Sequence, residues 1–165
     1  MLVRSPSFED FEGYLERVLD RAAPDDPNRA LIRDHFGIDD PAAKRGKRLR
    51  PRILLAVAES EGSDGRAALG AAAALELLHN FSLIHDDIED GDAQRYGEKT
   101  LHEEHGTPVA LNVGDLLIGE GYRLLADCRA SAEQKAAMIR VAAEGQRELC
   151  TQPWMAVARL TGERA

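Results

Sequence analysis

The stretch "RAALGAAAALELLHNFSLIHDD", residues 66 to 87, decides the fold of this chain. Its residues are apolar around most of a helical circumference, so a helix formed here has no wide polar face to turn toward water. A helix of that kind is buried in the middle of a bundle, where its alanine and glycine residues allow neighbouring helices to approach closely. We therefore predict a long buried helix over residues 65 to about 90.

The sequence on both sides of this helix also favours helices, because β-branched and aromatic residues are sparse while Ala, Leu, Glu and Arg dominate. The predicted helices cover residues 8–19 after a cap at Ser5 or Ser7, about 28–36, about 51–61 starting near Pro51, 65–90 after a cap at Ser63 or Asp64, 109–128, and 131–159. Residues 37–47 and 91–108 are predicted to be irregular connections. No linker divides the chain, so we predict an all-α antiparallel helix bundle in a single domain, 1–165.

Composition and charge exclude several classes of protein. The 165 residues carry 21 basic and 29 acidic side chains, which gives a net charge of -8 and argues against general affinity for nucleic acid or for anionic membranes. The two cysteines, Cys128 and Cys150, have no short metal-ligand spacing and form no disulfide framework. The N-terminus lacks a signal-peptide core, and no apolar run approaches the roughly 18 residues of a membrane span. We expect a cytoplasmic protein with no membrane span.

The predicted central helix ends in "LIHDDIEDGDAQRYG", residues 83–97, with five acidic side chains in the seven positions 86–92. Asp86 and Asp90 lie four residues apart, hence on one face of a helix and close enough to share a divalent cation. Asp87 is rotated by about 100° and reaches only the flank of such a site. Carboxylates at a helix C-terminus also oppose the macrodipole, and a bound cation would remove that conflict. Oxygen ligation by few protein groups suits magnesium.

Alternative interpretations of the acidic cluster stay open. The cluster can be a solvated helix end, in which case Glu89 and Asp92 are typical members; at a metal site these two are bystanders. The run lacks the alternating ligands of a calcium loop. His85 next to Asp86 suggests an HD-type phosphohydrolase, but such a site needs several more imidazole ligands. Zinc ligation is a further alternative, with the candidate ligands His102, Glu103 and His105.

A basic counterpart to the acidic cluster lies in "GKRLRP", residues 46–51, preceded by two more basic residues. Lys47 and Arg50 are three residues apart, so at the start of a helix they point the same way, where backbone N–H groups also attract phosphate. The alternative is a solubilising basic turn. His79 continues the stripe of Asp86 at roughly 10 Å along the central helix, and Arg95 supplies another cation. Carboxylates for a metal together with cations for phosphate describe a site for a diphosphate ester.

These motifs resemble the trans-polyprenyl diphosphate synthases, which have the all-α isoprenoid synthase fold. "GKRLRP", "LELLHNFSLIHDDIED", Arg95 with Gly97, "GDLLIGEGYRLLA" and "EGQRELCTQ" occur in the order and spacing of that family over about residues 40–152. By this resemblance Asp86, Asp87 and Asp90 form the first Asp-rich motif, of which Asp86 and Asp90 bind Mg²⁺. The positions that hold isopentenyl diphosphate are Lys47, Arg50 and His79, and Arg95 contacts the allylic diphosphate.

The resemblance implies a magnesium-dependent prenyl transfer. The diphosphate leaves an allylic substrate, and the double bond of isopentenyl diphosphate attacks the resulting carbocation, sheltered by apolar helix faces. Phe81, five residues before Asp86, together with the small Ser82, implies a product of about the geranylgeranyl class. Tyr96 stands where the family usually has a second arginine, so one contact to isopentenyl diphosphate is absent.

Family members are roughly twice as long as this chain, and the second Asp-rich motif has no counterpart in it. The chain is thus expected to correspond to the N-terminal half of such an enzyme. Two functions stay open: a prenyltransferase, or a non-catalytic or half-site subunit that binds diphosphate and needs a partner chain, with a truncated gene product as a further origin. Isopentenyl diphosphate and an allylic diphosphate are the expected ligands, and a homodimer or a heteromer is the expected assembly.

Overall fold

The computed structural model describes residues 8–22, 28–39, 46–63 and 65–161, without the side chains of residues 8, 9 and 152–161. The elements in chain order are α1 (Phe8–Ala22), α2 (Asn28–His35), α3 (Leu49–Ser60), α4 (Gly65–Asp90), β1 (Gln94–Arg95), β2 (Glu98–Lys99), α5 (Leu101–His105), α6 (Thr107–Asp127) and α7 (Ala132–Thr161). The predicted all-α class is confirmed. The proposed caps at Ser5, Ser7 and Asp64, and the basic residues Lys44 and Arg45, lie outside the described residues.

Helix α4 is the centre of the bundle, as its sequence predicts. It contacts α1, α3, α5 and α6, and most of its apolar positions from Ala68 to Ile84 are buried. Because α4 is covered on several sides, its few polar residues lie either at contacts with other helices or at the end of the bundle. Those residues build the candidate site.

Close approach of α6 to α4 depends on glycines of α6, whereas the small residues predicted to allow it were those of α4. A Cβ atom added at Gly114 of α6 would lie 2.4 Å from His85 Nε2, and one added at Gly121 would lie 2.8 Å from Leu78 Cγ. Real Cβ atoms do not tolerate such distances, so α6 packs its backbone directly against side chains of α4. This contact places His85, and with it the acidic end of α4, against α6.

The chain divides into two compact units, residues 1–129 and 130–165. The described part of the second unit is dominated by α7, which begins with a capping box: Gln134 N–H donates to Ser131 Oγ at 3.2 Å, and Ser131 N–H donates to Gln134 Oε1 at 2.9 Å. The prediction of one domain over residues 1–165 stays a prediction.

Two sequence-based boundaries need correction. Helix α3 begins at Leu49, before Pro51, because Arg48 takes a left-handed backbone conformation (φ 46°) and the helix starts directly after it. Residues 91–108 are not wholly irregular, since they contain a short antiparallel hairpin and α5. The hairpin escapes sequence analysis because only four residues pair around the Tyr96–Gly97 turn.

Helix α4 is also, among the described residues, the one helix long and apolar enough to cross a membrane by length and composition. The expectation that no apolar run approaches that length is therefore wrong. Most of the apolar window of α4 is buried inside the structure, and the core helix of a soluble protein passes the same test. The absence of a membrane span stays a prediction.

Candidate active site

The acidic cluster lies where α4 stops. Gly91 takes a positive φ of 68°, and the N–H of Asp92 donates to the carbonyl oxygen of Asp87 at 3.0 Å. This is the Schellman arrangement that ends a helix at glycine. Asp86 and Asp90 occupy the last turns of α4 and are both exposed. Their carboxylates therefore share one open helix face at the negative end of the macrodipole.

Asp87 is different from its neighbours, because it is only 3% exposed. Arg95 Nε donates to Asp87 Oδ1 at 2.7 Å, and Arg95 Nη2 lies 2.5 Å from the same oxygen. This hydrogen bond raises the pKa of the Arg95 guanidinium above its ordinary value. Two residues predicted to serve the reaction thus bind each other, so Asp87 holds Arg95 beside the acidic face.

The hairpin that carries Arg95 is tied to the end of α4. Arg95 pairs with Glu98 across the two strands, and the buried Thr100 donates from Oγ1 to the carbonyl oxygen of Asp92 at 2.7 Å. Glu89 and Asp92, interpreted as bystanders, are exposed. The hairpin therefore fixes the position of Arg95 relative to Asp86 and Asp90.

The basic segment before α3 is not one continuous anion surface, which corrects the interpretation based on its charge. Arg48 is 5% exposed. Its Nη1 donates to Glu76 Oε1 at 2.9 Å and its Nη2 donates to the carbonyl oxygen of Phe36 at 2.8 Å. Sequence analysis missed this pair, although Glu76 and Asn80, polar residues one turn apart on an apolar helix, were a signal for it.

Lys47 and Arg50 are exposed. Because α3 begins at Leu49, Lys47 precedes the helix, and its spacing from Arg50 is not the helical spacing that the sequence suggested. Arg50 Nη1 lies 2.9 Å from Nε2 of the half-buried His79. The structure thus brings two of the three predicted isopentenyl diphosphate residues into contact.

The protonation state of His79 follows from that contact. Burial, and next the charge of Arg50, hold the pKa of His79 below its ordinary value. A guanidinium has only donors, so His79 Nε2 accepts the hydrogen bond and the imidazole is neutral with its proton on Nδ1. The exposed Arg50 guanidinium keeps further N–H donors, which suit recognition of a diphosphate.

The donor set at the end of α4 fits magnesium better than zinc. Among the described residues no group of three His, Cys, Asp or Glu side chains could hold a metal ion. Asp86 and Asp90 offer two oxygen ligands, and magnesium is typically bound by one or two carboxylates with water and substrate phosphate completing its shell. His102 Nε2 lies 3.7 Å from Glu103 Oε1, and no third ligand among the described residues joins them to form the alternative zinc site.

In the part of the chain that the structure describes, His85 likewise has no group of imidazole neighbours of the kind a phosphohydrolase site needs. Its ring packs edge-on against Phe81 at 5.7 Å, and its Nε2 is buried under Gly114, 3.9 Å from Asp115 Oδ1. Within the described residues His85 is therefore a packing residue between α4 and α6, next to the first aspartate of the cluster.

The fold and the site define a class of all-α proteins in which a central helix ends in aspartates and is contacted, nearer its middle, by a basic segment at the start of another helix. The chain belongs to the polyprenyl synthetase family, whose sequence model matches residues 38–157. The resemblance seen in the motifs is thereby confirmed.

The chain is similar to the geranylgeranyl pyrophosphate synthase of Geoglobus acetivorans, with 43% identity over 110 residues, or 67% of this chain and 34% of that protein. It is 33% identical over 140 residues to the (2E,6E)-farnesyl diphosphate synthase of Mycobacterium bovis, covering 82% of this chain and 38% of that protein. The chain thus spans about a third of the length of these relatives.

Solved structures give the same family and the same fold. The geranylgeranyl pyrophosphate synthetase of Geoglobus acetivorans superposes with a TM-score of 0.74 at 33% identity, covering 91% of this chain and 48% of that one. The polyprenyl synthetase of Streptomyces coelicolor gives 0.74 at 33% identity, covering 86% of this chain and 44% of that one. The predicted isoprenoid synthase fold is confirmed, and the match extends over about half of each solved chain.

Proposed function

We propose that this chain supplies the first Asp-rich motif and the isopentenyl diphosphate contacts of a polyprenyl diphosphate synthase. The reaction is condensation of an allylic diphosphate with isopentenyl diphosphate. The observation that carries the proposal is that α4 bears both an open two-carboxylate end and His79, which Arg50 of α3 contacts at 2.9 Å. Similarity to geranylgeranyl and farnesyl diphosphate synthases supports it.

In this proposal the acidic residues bind the metal ion and the basic residues bind the diphosphates. Asp86 and Asp90 would hold Mg²⁺, which supplies Lewis-acid neutralisation of a departing diphosphate when bound. Arg95, fixed by Asp87, presents its guanidinium to the allylic diphosphate, which stabilises the negative charge that develops on departure. Lys47, Arg50 and His79 bind the diphosphate of the second substrate and orient its double bond toward the allylic carbon.

Apolar residues of α4 set the space available to the prenyl chain in this proposal. Phe81 is 7% exposed and packs against His85, so its ring is a wall one turn and a half below Asp86. We propose a product of the geranylgeranyl class, made by a soluble cytoplasmic protein. A Phe81→Ala variant of an active preparation is expected to give longer products by mass spectrometry, because the wall is removed.

The second candidate function is a diphosphate-binding half that needs a partner chain, either a homodimer partner or a different subunit. The observation that favours it is an apolar stripe on α3, where Leu49, Ile53 and Val57 are 60%, 55% and 55% exposed. Stripes of this kind are commonly covered in an assembled protein. The solved relative from Geoglobus acetivorans is about twice as long as the part that matches this chain.

Condensation can be assayed directly. The purified chain is incubated with magnesium, geranyl or farnesyl diphosphate and radiolabelled isopentenyl diphosphate, and prenyl products are extracted. Product formation that disappears with EDTA is expected for the enzyme. Binding of both diphosphates without product, and product on adding a co-purified subunit, supports the half-site function. Absence of diphosphate binding in calorimetry would contradict both.

A further inference from the structure

We propose that Arg48 is a positioning residue for diphosphate binding: its buried ion pair with Glu76 sets Arg50 against His79. The inference rests on the proposed function for the identity of the ligand. The positioning role itself rests on the geometry of α3 and α4. It assigns a role in the site to Arg48 and Glu76, neither of which is among the residues proposed to contact a diphosphate.

Two links join the start of α3 to α4, and they lie one turn apart. Arg48 bonds Glu76, and Arg50, two residues later, contacts His79, three residues beyond Glu76. A separation of three residues on a helix is about 4.5 Å along its axis. The first link is buried, with both side chains no more than 6% exposed, whereas the second is open to solvent. The buried Arg48–Glu76 pair therefore fixes the start of α3 against α4, and this sets the position of Arg50 relative to His79.

The Glu76 carboxylate is itself held in place. Asn80 Nδ2 donates to the carbonyl oxygen of Glu76 at 2.8 Å and lies 3.3 Å from Glu76 Oε1. On the other side, Arg48 Nη2 donates to the carbonyl oxygen of Phe36, and its guanidinium lies 5.4 Å from the Phe36 ring centroid. Arg48 therefore connects the end of α2, the start of α3 and the middle of α4 at one point.

The backbone of Arg48 explains how adjacent basic residues come to face opposite ways. Its φ of 46° and ψ of 40° are left-handed, a conformation that L-residues other than glycine, asparagine and aspartate rarely adopt. The turn directs Arg48 into the protein and leaves Lys47 and Arg50 exposed. The inward ion pair holds this turn in place, so it sets the orientation of both exposed cations.

The test compares Arg48→Lys with Arg33→Lys. Lysine at 48 keeps the charge but cannot bond both Glu76 and the Phe36 carbonyl at once. Arg33 is a matched control, because it also joins helices through several carboxylates, Glu16, Asp20 and Asp39, without contacting the site. Both variants are expected to lower the thermal midpoint, so stability alone does not distinguish a positioning role from a structural one.

Two readouts at the site make that distinction. The first is the titration of His79 by NMR; this imidazole senses Arg50 on α3, Glu76 and Asp86 on α4, and Arg95 on β1. In Arg48→Lys we expect the pKa of His79 to move up toward its ordinary value, because Arg50 withdraws. The second is calorimetry with inorganic pyrophosphate in magnesium-free buffer, for which we expect about tenfold weaker binding. Arg33→Lys should change neither readout.

An unchanged His79 titration in Arg48→Lys, or pyrophosphate affinity within twofold of wild type, overturns the inference. If Arg48→Lys does not fold, Glu76→Gln replaces it: glutamine still accepts from Arg48, so binding should weaken by only a few-fold, and no loss at all overturns the inference. A shifted His79 titration in a protein whose wild type binds no pyrophosphate supports the positioning role and refutes the proposed function instead.

Discussion

At the scale of single residues, the three aspartates of α4 differ in burial and therefore in the chemistry open to them. Asp86 and Asp90 are exposed, while Asp87 is buried against Arg95. A carboxylate that already bonds a guanidinium is a poor metal ligand, because binding a cation would break an ion pair inside the protein. Magnesium affinity should therefore reside in the exposed pair.

Asp86→Asn and Asp90→Asn are each expected to weaken magnesium-dependent pyrophosphate binding at least tenfold, or about 1.4 kcal/mol. Each change replaces one anionic oxygen ligand by a neutral amide. Isothermal titration calorimetry in the presence of magnesium measures the effect. Glu89→Gln is the matched control on the same helix end and should stay within twofold of wild type; equal losses in all three variants would refute the two-carboxylate site.

His35 should make stability depend on pH. Burial first, and the charge of Arg48 among the other causes, lowers the pKa of His35 to about 4 from 6.5, and its Nε2 is buried with no hydrogen-bond partner among the described residues. The folded protein then binds fewer protons than the unfolded chain between these values, so stability is full above pH 6.5 and is lost as the pH falls toward 4.

Each pKa unit is worth about 1.4 kcal/mol, so the His35 contribution corresponds to roughly 3 kcal/mol over that range. Urea unfolding at pH 7.5 and pH 4.5, compared between wild type and His35→Gln, measures it. The wild type should lose more stability than the variant on acidification. Equal losses would show that His35 does not stay neutral in the folded protein.

At the scale of elements, the packing of α4 against α6 is set by glycines on α6, and one of them lies beside the acidic cluster. Gly114 admits the His85 ring, and His85 precedes Asp86 directly. The spacing between these helices therefore affects both stability and the position of the first carboxylate. The position of Arg95 depends in the same way on the hairpin after α4.

Gly114→Ala is expected to destabilise the protein by about 1–3 kcal/mol, because the new methyl group would overlap the His85 ring in a packed contact. Chemical denaturation measures the change. Gly119→Ala is the control in the same helix: no described residue lies within 4 Å of the added Cβ, so the higher helix propensity of alanine should stabilise by up to about 1 kcal/mol. If both variants were stabilised, direct packing of Gly114 on His85 would be wrong.

How much of the fold and of the candidate site could be predicted depended on how far apart the interacting residues lie in the sequence. The buried helix α4, its small residues and the one-face pair Asp86 and Asp90 follow from local periodicity. The Arg48–Glu76 pair joins residues 28 apart, and charge counting could not tell which of several adjacent arginines turns inward. A left-handed backbone at a residue other than glycine gives no sequence signal.

At the scale of the whole molecule, ligand binding should appear as added stability. A ligand that binds only the folded state at 100 times its Kd contributes about 2.7 kcal/mol, which for a chain of this size raises the thermal midpoint by roughly 5–10 °C. We expect magnesium together with pyrophosphate to produce such a rise and EDTA to reverse it. The Asp86→Asn/Asp90→Asn double variant should lose most of it; an undiminished rise would place the metal elsewhere.

The molecule as a whole is acidic, with a net charge of -8, yet its proposed substrates are anions. In the proposed function, diphosphate binding depends on the local cations Lys47, Arg50 and Arg95 and on bound magnesium. Raising the ionic strength should weaken pyrophosphate binding less steeply than in a generally basic protein, because the rest of the surface repels the ligand and that repulsion is screened as well.

The Tyr96–Gly97 turn bears on how such a site can change over evolutionary time. Both residues have positive φ, 56° and 91°, in a two-residue hairpin connection where asparagine and glycine are favoured. Tyr96 is 68% exposed, so core packing does not require its ring. Substitution at this position can therefore alter the side chain next to Arg95 without repacking the bundle, and backbone strain alone would select a smaller residue. A tyrosine at a position where the family resemblance leads us to expect arginine is therefore a change that the packing of the bundle does not oppose.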